Sequence, residues 1–390
     1  MMTTNAFAQN RLTGHPLAVD CLYETRGRED FTGESSNFSW SETDNGLRLM
    51  ATPTVRPRDR RKSAAKSSYR GVYTSPPIKA DFDFNEVLPS WNIRIDEEVQ
   101  GYRVRMRFAA TTGRWSEWFD FGGAGVLADK RRAADSQRSS EWGRVAIDYI
   151  VLRKPARRFQ YQVELVSRVR PSGTRRLVLK RFAVTYSNTL GDATLAKRFQ
   201  SSKPQAPDGW ARVLPVPYRS QLWVQDKSLA GQICCPTSLA MILASHGHDI
   251  PTTVVASQSF DAETGIYGNW ARAAQTGTRY GLKGTVVRFR SHDDVKRAIA
   301  EGTPVMASIR FRRGDLRNAH YQNTSGHLVL IRGLTPEGDY VVNDPYNPGP
   351  KGEEVLYYKD DMQKVWFDKG GVGIIFRPEV ANSRIGSDSK

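Results

Sequence analysis

The chain has 390 residues, room for two domains that each bury a core of their own. With 39% hydrophobic and 25% charged residues it has a globular rather than a disordered balance. No apolar run approaches the roughly 18 to 20 residues that span a bilayer, and no glycine-rich phosphate loop ending in Gly-Lys-Ser/Thr is present, which excludes an export ATPase. Most of the formal charge of +16 belongs to the first half, where 34 Lys and Arg face 22 Asp and Glu; beyond residue 200 the numbers are 23 and 19.

Residues 1–19 read as a tail. They lack the apolar core of a signal peptide, yet Ala6-Phe7-Ala8 before Gln9 has the small-x-small form of a cleavage site and is read as a remnant of an export signal. Residues 20–190 read as short strands and turns. Asn37-Phe38-Ser39-Trp40 and Gly46-Leu47-Arg48-Leu49-Met50-Ala51 alternate polar and apolar residues, and the Arg/Pro/Ser-rich residues 52–68 read as a loop. Further strands are predicted over 71–78, 82–92, 102–108, 144–152, 159–166 and 176–186. Strict alternation in Tyr102-Arg103-Val104-Arg105-Met106-Arg107-Phe108 puts arginines on one side of the pleat. Many strands without a helical period predict an antiparallel β-sandwich, all-β, as the first domain.

Two basic clusters lie in this half, at 56–62 with Lys66 and Arg70, and at 130–132. A basic surface attracts polyanions such as a cell-wall polymer, a glycan or a membrane surface. No helix-turn-helix, zinc finger or aromatic RNA-binding pattern accompanies them, so no specific nucleic-acid partner is expected. Trp91, Trp115, Trp118, Phe119, Phe121 and Trp142 either fill the core or offer stacking surfaces to a sugar or peptide.

Residues 191–210 read as a linker, and from 211 to 380 helix and strand alternate, with a tail at 381–390. In Gly231-Gln232-Ile233-Cys234-Cys235-Pro236-Thr237-Ser238-Leu239 a loop delivers a thiol to the first turn of a helix that ends near His246-Gly247; Pro236 fits a first helical position. A cysteine at a helix N-terminus faces unpaired N–H groups and the positive end of the dipole, which favours the thiolate. Helices are predicted over 269–274 and over 293–300 with Ser291 as cap, and strands over 283–289, 304–309, 328–331, 340–343 and 373–376. His327 starts the apolar run Leu328-Val329-Leu330-Ile331. Asp344 ends Tyr340-Val341-Val342-Asn343 where Pro345 stops the strand. On adjacent antiparallel strands the two side chains would meet, giving the thiol a base and the base a partner. Gln221 offers an amide donor for an oxyanion.

The order Gln221, Cys234-x-Pro236-Thr237-Ser238, Gly326-His327 with its aliphatic run, and Asn343-Asp344-Pro345 resembles the peptidase domain of the double-glycine-leader, bacteriocin-processing cysteine peptidases. It is similar above all to stand-alone, often secreted bacterial proteins that carry such a domain behind a β-sandwich. The resemblance covers roughly residues 211–378. It implies an α+β, papain-like fold with Cys234 as nucleophile, His327 as base, Asp344 as orienting partner and Gln221 as oxyanion donor. It also implies a peptide or cell-wall peptide substrate, no cofactor, and a secreted or envelope location. Where that family shows a small residue after the nucleophile this chain has Cys235, which leaves two candidate thiols; Cys234 is favoured because it stands two residues before the proline.

Trp270, His320, Ser325 and Gly326 are candidate substrate contacts, and residues 310–323 a candidate gate beside His327. Asn343 is an alternative partner for the imidazole. His246 and His248 flank a helix end with no further ligand at metal spacing, so no metal site is expected. Two other functions stay open: acyl transfer to an amine by the same three groups, and a degenerate hydrolase that works as a wall- or glycan-binding protein.

Overall fold

The computed structural model describes Leu12 and residues 14–54, 68–129, 139–200 and 205–379. The cleavage-site-like residues 6–9, the basic clusters at 56–66 and 130–132 and the tail 381–390 lie outside the described residues. Arg70, the remaining member of the first cluster, pairs with Glu164 at 2.8 Å.

The first domain is built from β1 (Val19–Glu24), β2 (Glu34–Ser36), β3 (Phe38–Ser41), β4 (Gly46–Leu49), β5 (Tyr69–Thr74), β6 (Ile78–Arg94), β7 (Gln100–Ala109), β8 (Phe119–Gly125), β9 (Gly143–Ala146), β10 (Tyr149–Ser167) and β11 (Val178–Asn188). All pair antiparallel in one sheet of order β2-β5-β10-β6-β11-β4-β3, with β1 on β11, β7 and β9 on β10, and β8 on β7. The all-β first domain expected from the sequence is thus one nearly closed antiparallel sheet. The cause is strand length: β10 runs 19 residues, pairing with β6 over its first part and with β5 over Gln162–Ser167. A strand that changes neighbours partway joins layers that shorter strands would leave apart. Tyr73, Phe84, Phe108, Phe159, Tyr161 and Phe182 fill the enclosed space, all at 0% exposure.

The aromatics read as a stacking surface are otherwise engaged. Trp91, Phe119, Phe121 and Trp142 are buried, while the half-exposed Trp115 and Trp118 hold the Arg107 guanidinium over their rings at 4.8 and 4.7 Å. The predicted linker carries a helix, α1 (Ala193–Gln200). Its Ala196 is buried in the β-domain core and its Phe199 meets Phe82 edge-on at 5.1 Å.

The second domain sets α2 (Lys227–Ala230), α3 (Cys234–Ser245), α4 (Thr252–Ser259) and α5 (Trp270–Gly277) beside a six-stranded antiparallel sheet. Its strands are β12 (Leu282–Arg288), β13 (Val305–Phe311), β14 (Thr324–Leu334), β15 (Tyr340–Asn343), β16 (Val355–Tyr357) and β17 (Val372–Pro378), in the order β12-β17-β13-β14-β15-β16. Helices α6 (His292–Ala300) and α7 (Lys359–Val365) complete it. Ser291 caps α6 in a full capping box with Asp294, as its sequence predicts.

The burial pattern of β6 shows how the domains join. Lys79, Asp81 and Asp83 are exposed while Ala80, Phe82 and Phe84 are buried, the alternation of a one-sided strand. From Asn85 onward both faces are buried, because the second domain covers the polar one. Glu86 pairs there with Arg288, Asn92 donates to Thr278 Oγ1 at 3.0 Å, and Gln275 bonds both the N–H and the C=O of Ile93 at 2.7 Å, as a strand neighbour would. Around these lie Arg272 with Glu97, Arg290 with Asp20, and Arg103 with Glu263 at 3.0 Å. The segment before β1 also belongs to this seam: Leu12 is buried in the second domain's core with Leu88 of β6, and its carbonyl accepts from Arg310 at 3.0 Å. No described helix is long and apolar enough to cross a membrane.

Candidate active site

Helix α3 begins at Cys234, two residues before the position its proline suggests, so Pro236 is its third residue. Proline is tolerated there because the first-turn N–H groups have no intrahelical acceptor. The helix ends as predicted, with His246 as cap and Gly247 at φ +84°. The helix is apolar on all sides, and every residue from Cys235 to Leu243 is buried. Ser238 Oγ donates to the Leu328 carbonyl at 3.2 Å, pinning the first turn to the residue after His327.

The two adjacent thiols differ sharply. Cys235 is at 0% exposure in the core, and burial, with the neighbouring Cys234 and Asp148, pushes its thiol far up. Cys234 is half-buried. Burial pushes its thiol up as well, but the His327 charge and hydrogen bond, with N–H groups of Leu328 and Cys235, outweigh it and carry the thiol below its ordinary range.

His327 lies on β14 where the exposed Ser325 and Gly326 give way to a continuous buried run. β15 pairs with β14 with Asn343 opposite Leu330, which sets Asp344, one residue past the ladder, diagonal to His327. His327 Nε2 lies 2.9 Å from Asp344 Oδ1, leaving Nδ1 for the thiol. Burial alone would lower the imidazole; the charges of Asp344 and Cys234 reverse this and raise it to about 10.

Asp344 is at 0% exposure and remains ionised: burial raises its carboxyl, and His327, Tyr357 and the Tyr346 N–H bring it below the usual value. Its Oδ2 accepts from Tyr321 at 3.0 Å and Tyr357 at 2.5 Å, and Oδ1 from the Tyr346 N–H at 2.9 Å. Tyr321 also stands edge-on to the His327 ring at 5.2 Å. These tyrosines escaped the sequence reading. The available signal was Tyr321 within the polar loop already singled out as a gate, since an aromatic there has an apolar body to bury. Asn343, the alternative partner, turns away and donates to the Val216 carbonyl at 3.2 Å.

Gln221 is nearly fully buried, at 1% exposure. Its backbone N–H donates to Pro345 C=O at 2.8 Å and its Nε2 to Ala230 C=O at 2.5 Å, so it is clamped between the end of β15 and the turn before α3. Nε2 carries a second N–H beyond the one given to Ala230. Ser220 strengthens the clamp by donating to Asn347 C=O at 2.7 Å. Tyr218 donates to the same carbonyl at 2.7 Å and packs where Gly352 has no side chain; a Cβ there would meet the Tyr218 hydroxyl at 1.9 Å.

Of the remaining candidates, His320, Ser325 and Gly326 are exposed, and Trp270, half-exposed, starts α5. The candidate gate is tied down by Arg317 on Asp361 at 2.8 Å and by Asn318 on the Leu356 carbonyl at 2.8 Å, besides Tyr321. Among the described residues no cluster of His, Cys, Asp or Glu is arranged to hold a metal ion.

A partly open thiol at a helix start, held by an imidazole that a buried carboxylate supports, is the arrangement of a cysteine-dependent hydrolase. Residues 213–374 match the Peptidase C39 like family, and residues 23–187 match the Peptidase C39 N-terminal domain. The chain belongs to the C39-like cysteine peptidases and carries that N-terminal domain in front of the peptidase domain. Among solved structures it is similar to a double glycine motif protease from an AMS/PCAT transporter in complex with the leader peptide. That likeness, at 19% identity over 45% of this chain and 99% of the other with a TM-score of 0.30, is too loose to transfer geometry. No curated protein matches the chain.

Proposed function

We propose that the second domain is a papain-like peptidase in which Cys234 attacks the carbonyl carbon of a peptide bond, with His327 and Asp344 as its partners. The observation that carries this is the His327 ring, bonded to Asp344 on one side and facing the Cys234 sulfur on the other. The thiolate adds to the carbonyl, and Gln221 Nε2 with the Cys234 backbone N–H stabilises the oxyanion. The imidazolium gives its proton to the leaving amine as the C–N bond breaks, leaving a thioester. The neutral imidazole then takes a proton from water, which attacks the thioester and releases acid and free thiol.

The substrate class is an extracellular or cell-wall peptide, and the setting a secreted or envelope one. Both rest on the resemblance set out from the sequence. Burial of Cys235 and depression of the Cys234 thiol favour the first cysteine as the nucleophile.

Labelling with iodoacetamide, read by mass spectrometry at each cysteine, tests the reading. Cys234→Ala should abolish both labelling at this position and all peptide cleavage, whereas Cys235→Ala should retain both. Cleavage that persists in Cys234→Ala would sink the proposal. An added amine that diverts most of the product from acid to amide would replace hydrolysis by acyl transfer.

A further inference from the structure

One face of the first domain's sheet carries arginines that are held in place without being neutralised. Strand β7 lies beside β10 with Arg107 opposite Gln160, Arg105 opposite Gln162 and Arg103 opposite Glu164. Alternate residues of a strand point to the same side, so the three arginines form one row. Arg103 is its neutralised member, bonded to Asp120 at 2.7 Å and to Glu263 of the second domain at 3.0 Å. The other two meet amides instead. Arg107 Nε donates to Gln160 Oε1 at 2.8 Å, and that amide is fixed from its other end by donating to the Ser75 carbonyl at 2.8 Å. Arg105 reaches Gln162 Oε1 at 3.5 Å, and Gln162 Nε2 donates to Thr74 Oγ1 at 3.1 Å.

Arg107 is also clamped by the Trp115 and Trp118 rings, whose centroids lie 4.8 and 4.7 Å from its guanidinium carbon. An amide and two indoles fix the orientation of the group and leave its charge whole. With Nε spent on Gln160, the N–H groups of both terminal nitrogens stay free for an acceptor. The exposed Arg158 of β10, diagonal to Arg107 across the strand pair, extends the positive surface. Three carboxylates that border the row are bonded to other arginines: Asp120 to Arg103, Glu164 to Arg70 at 2.8 Å, and Asp83 to Arg157 at 3.6 Å. Among the described residues none pairs as an ion with Arg105, Arg107 or Arg158.

We propose that this face binds a linear polyanion, with Arg105 and Arg107 each taking one phosphate or carboxylate group of its chain. Their Cα atoms stand two residues apart on one strand, about 7 Å, which suits repeated charges on a polymer better than a single small anion. A guanidinium held rigid beforehand presents its planar fork to an oxyanion at little cost in side-chain entropy. The excess of Lys and Arg over Asp and Glu in residues 1–200, 34 against 22, draws such a polymer in from a distance. Nucleic acid suits the face less well, because the two indoles that could stack on bases already hold Arg107. Since Arg103 in the same row bonds Glu263, the polymer lies at the border of the peptidase domain.

The test is equilibrium binding of full-length Cys234→Ala protein, which needs no turnover, to end-labelled polyphosphate and poly-L-glutamate. Fluorescence anisotropy over a series of salt concentrations gives both affinity and salt slope, and the tighter polymer identifies the oxyanion. Arg105→Gln together with Arg107→Gln should weaken binding by about a hundredfold and lower the slope of log affinity against log salt by about two. Arg105→Lys together with Arg107→Lys keeps the charge but loses the fork, and should weaken binding by about tenfold with the slope retained. Arg168→Gln together with Arg170→Gln, beyond the other end of β10, removes the same charge and should cost less than about threefold. Equal losses in the two glutamine pairs would reduce the effect to net charge and overturn the proposal. So would wild-type affinity in the lysine pair, or the absence of binding to either polymer by the unsubstituted face. An oligonucleotide of matched charge that binds more than about tenfold tighter than both polymers would assign the face to nucleic acid instead.

Discussion

The buried charges along the seam between the domains and those at the thiol site are of different kinds. Along the seam Glu97 is held by Arg272 and by Arg279 at 3.1 Å, and Glu86 by Arg288. Burial raises the Glu97 carboxyl, the two guanidinium groups lower it by more, and Arg272 is driven further up. The guanidinium does not give up its proton, and beside it the Glu97 carboxyl stays ionised to lower pH than an ordinary glutamate. At the thiol site the pair is Cys234 and His327, two groups that can exchange one proton, with Asp344 fixing where it rests. The seam is built on arginine, whose charge is fixed, and the thiol site on a histidine whose charge can change.

The largest effect expected from disturbing this contrast is at Asp344. Asp344→Asn keeps an oxygen near Nε2 but removes the charge that raises His327, and kcat should fall by about 10⁴-fold, the loss that neutralising such a carboxylate causes in a Ser-His-Asp hydrolase. In the wild type the alkylation rate of Cys234 should hold as pH falls below the ordinary thiol value of 9.0. Peptide cleavage should decline again as pH rises through about 10, where His327 loses its proton. In Asp344→Asn the alkylation profile should move toward that of an ordinary thiol. A cleavage rate within tenfold of wild type would mean that the carboxylate serves folding alone.

The seam should respond in the opposite way. Glu97→Ala leaves the Arg272 guanidinium buried without its charge partner, and unfolding in denaturant should show a loss of about 3–5 kcal/mol. Replacing both partners by apolar residues, Glu97→Leu with Arg272→Met, should recover most of that loss. Below the new midpoint the alkylation profile of Cys234 should match wild type in each variant. A shifted profile in folded Glu97→Ala would show that the two charge systems communicate and that the contrast is wrong.

Much of the thiol site was legible because each member stands where local structure ends. Cys234 opens a helix, His327 begins a buried run and Asp344 precedes a strand-stopping proline, so three boundary signals coincide with three polar residues. The elements of the second domain were legible for the same reason, with Ser291 marking a start and Gly247 an end that the structure keeps. What the sequence hid depends on contacts between distant segments. Alternation in β6 changes phase after Phe84, so that Val87, Trp91 and Ile93 fill the β-domain core while Glu86, Ser90 and Asn92 read as a water-facing side that only the second domain buries. Tyr357 likewise carries no local mark of the site it joins, and the single sheet follows from the length of β10, which the strands predicted over 144–152 and 159–166 split around Pro155.

The smallest expected effect belongs to Tyr357, and it separates the carboxylate's two duties. Tyr357→Phe keeps the ring at 0% exposure and removes one of the donors that lower the Asp344 carboxyl. A hydrogen bond to a charged group contributes about 1.5–3 kcal/mol, so stability at neutral pH should fall by roughly that amount. The retained bond to His327 should keep kcat/KM within about tenfold of wild type, since one 1.4 kcal/mol step in the barrier is tenfold. The pH dependence has a definite sign. A carboxyl depressed in the folded state contributes stability above its unfolded value, lost as pH falls through the folded value. In Tyr357→Phe the folded value is less depressed, so acid unfolding should begin at a higher pH than in wild type, and the stability gap should close once both carboxyls are protonated. Thermal unfolding from pH 7 down to acid reads both features; a gap that stays constant to the lowest pH would assign Tyr357 to packing and leave Asp344 held by Tyr321, Tyr346 and His327.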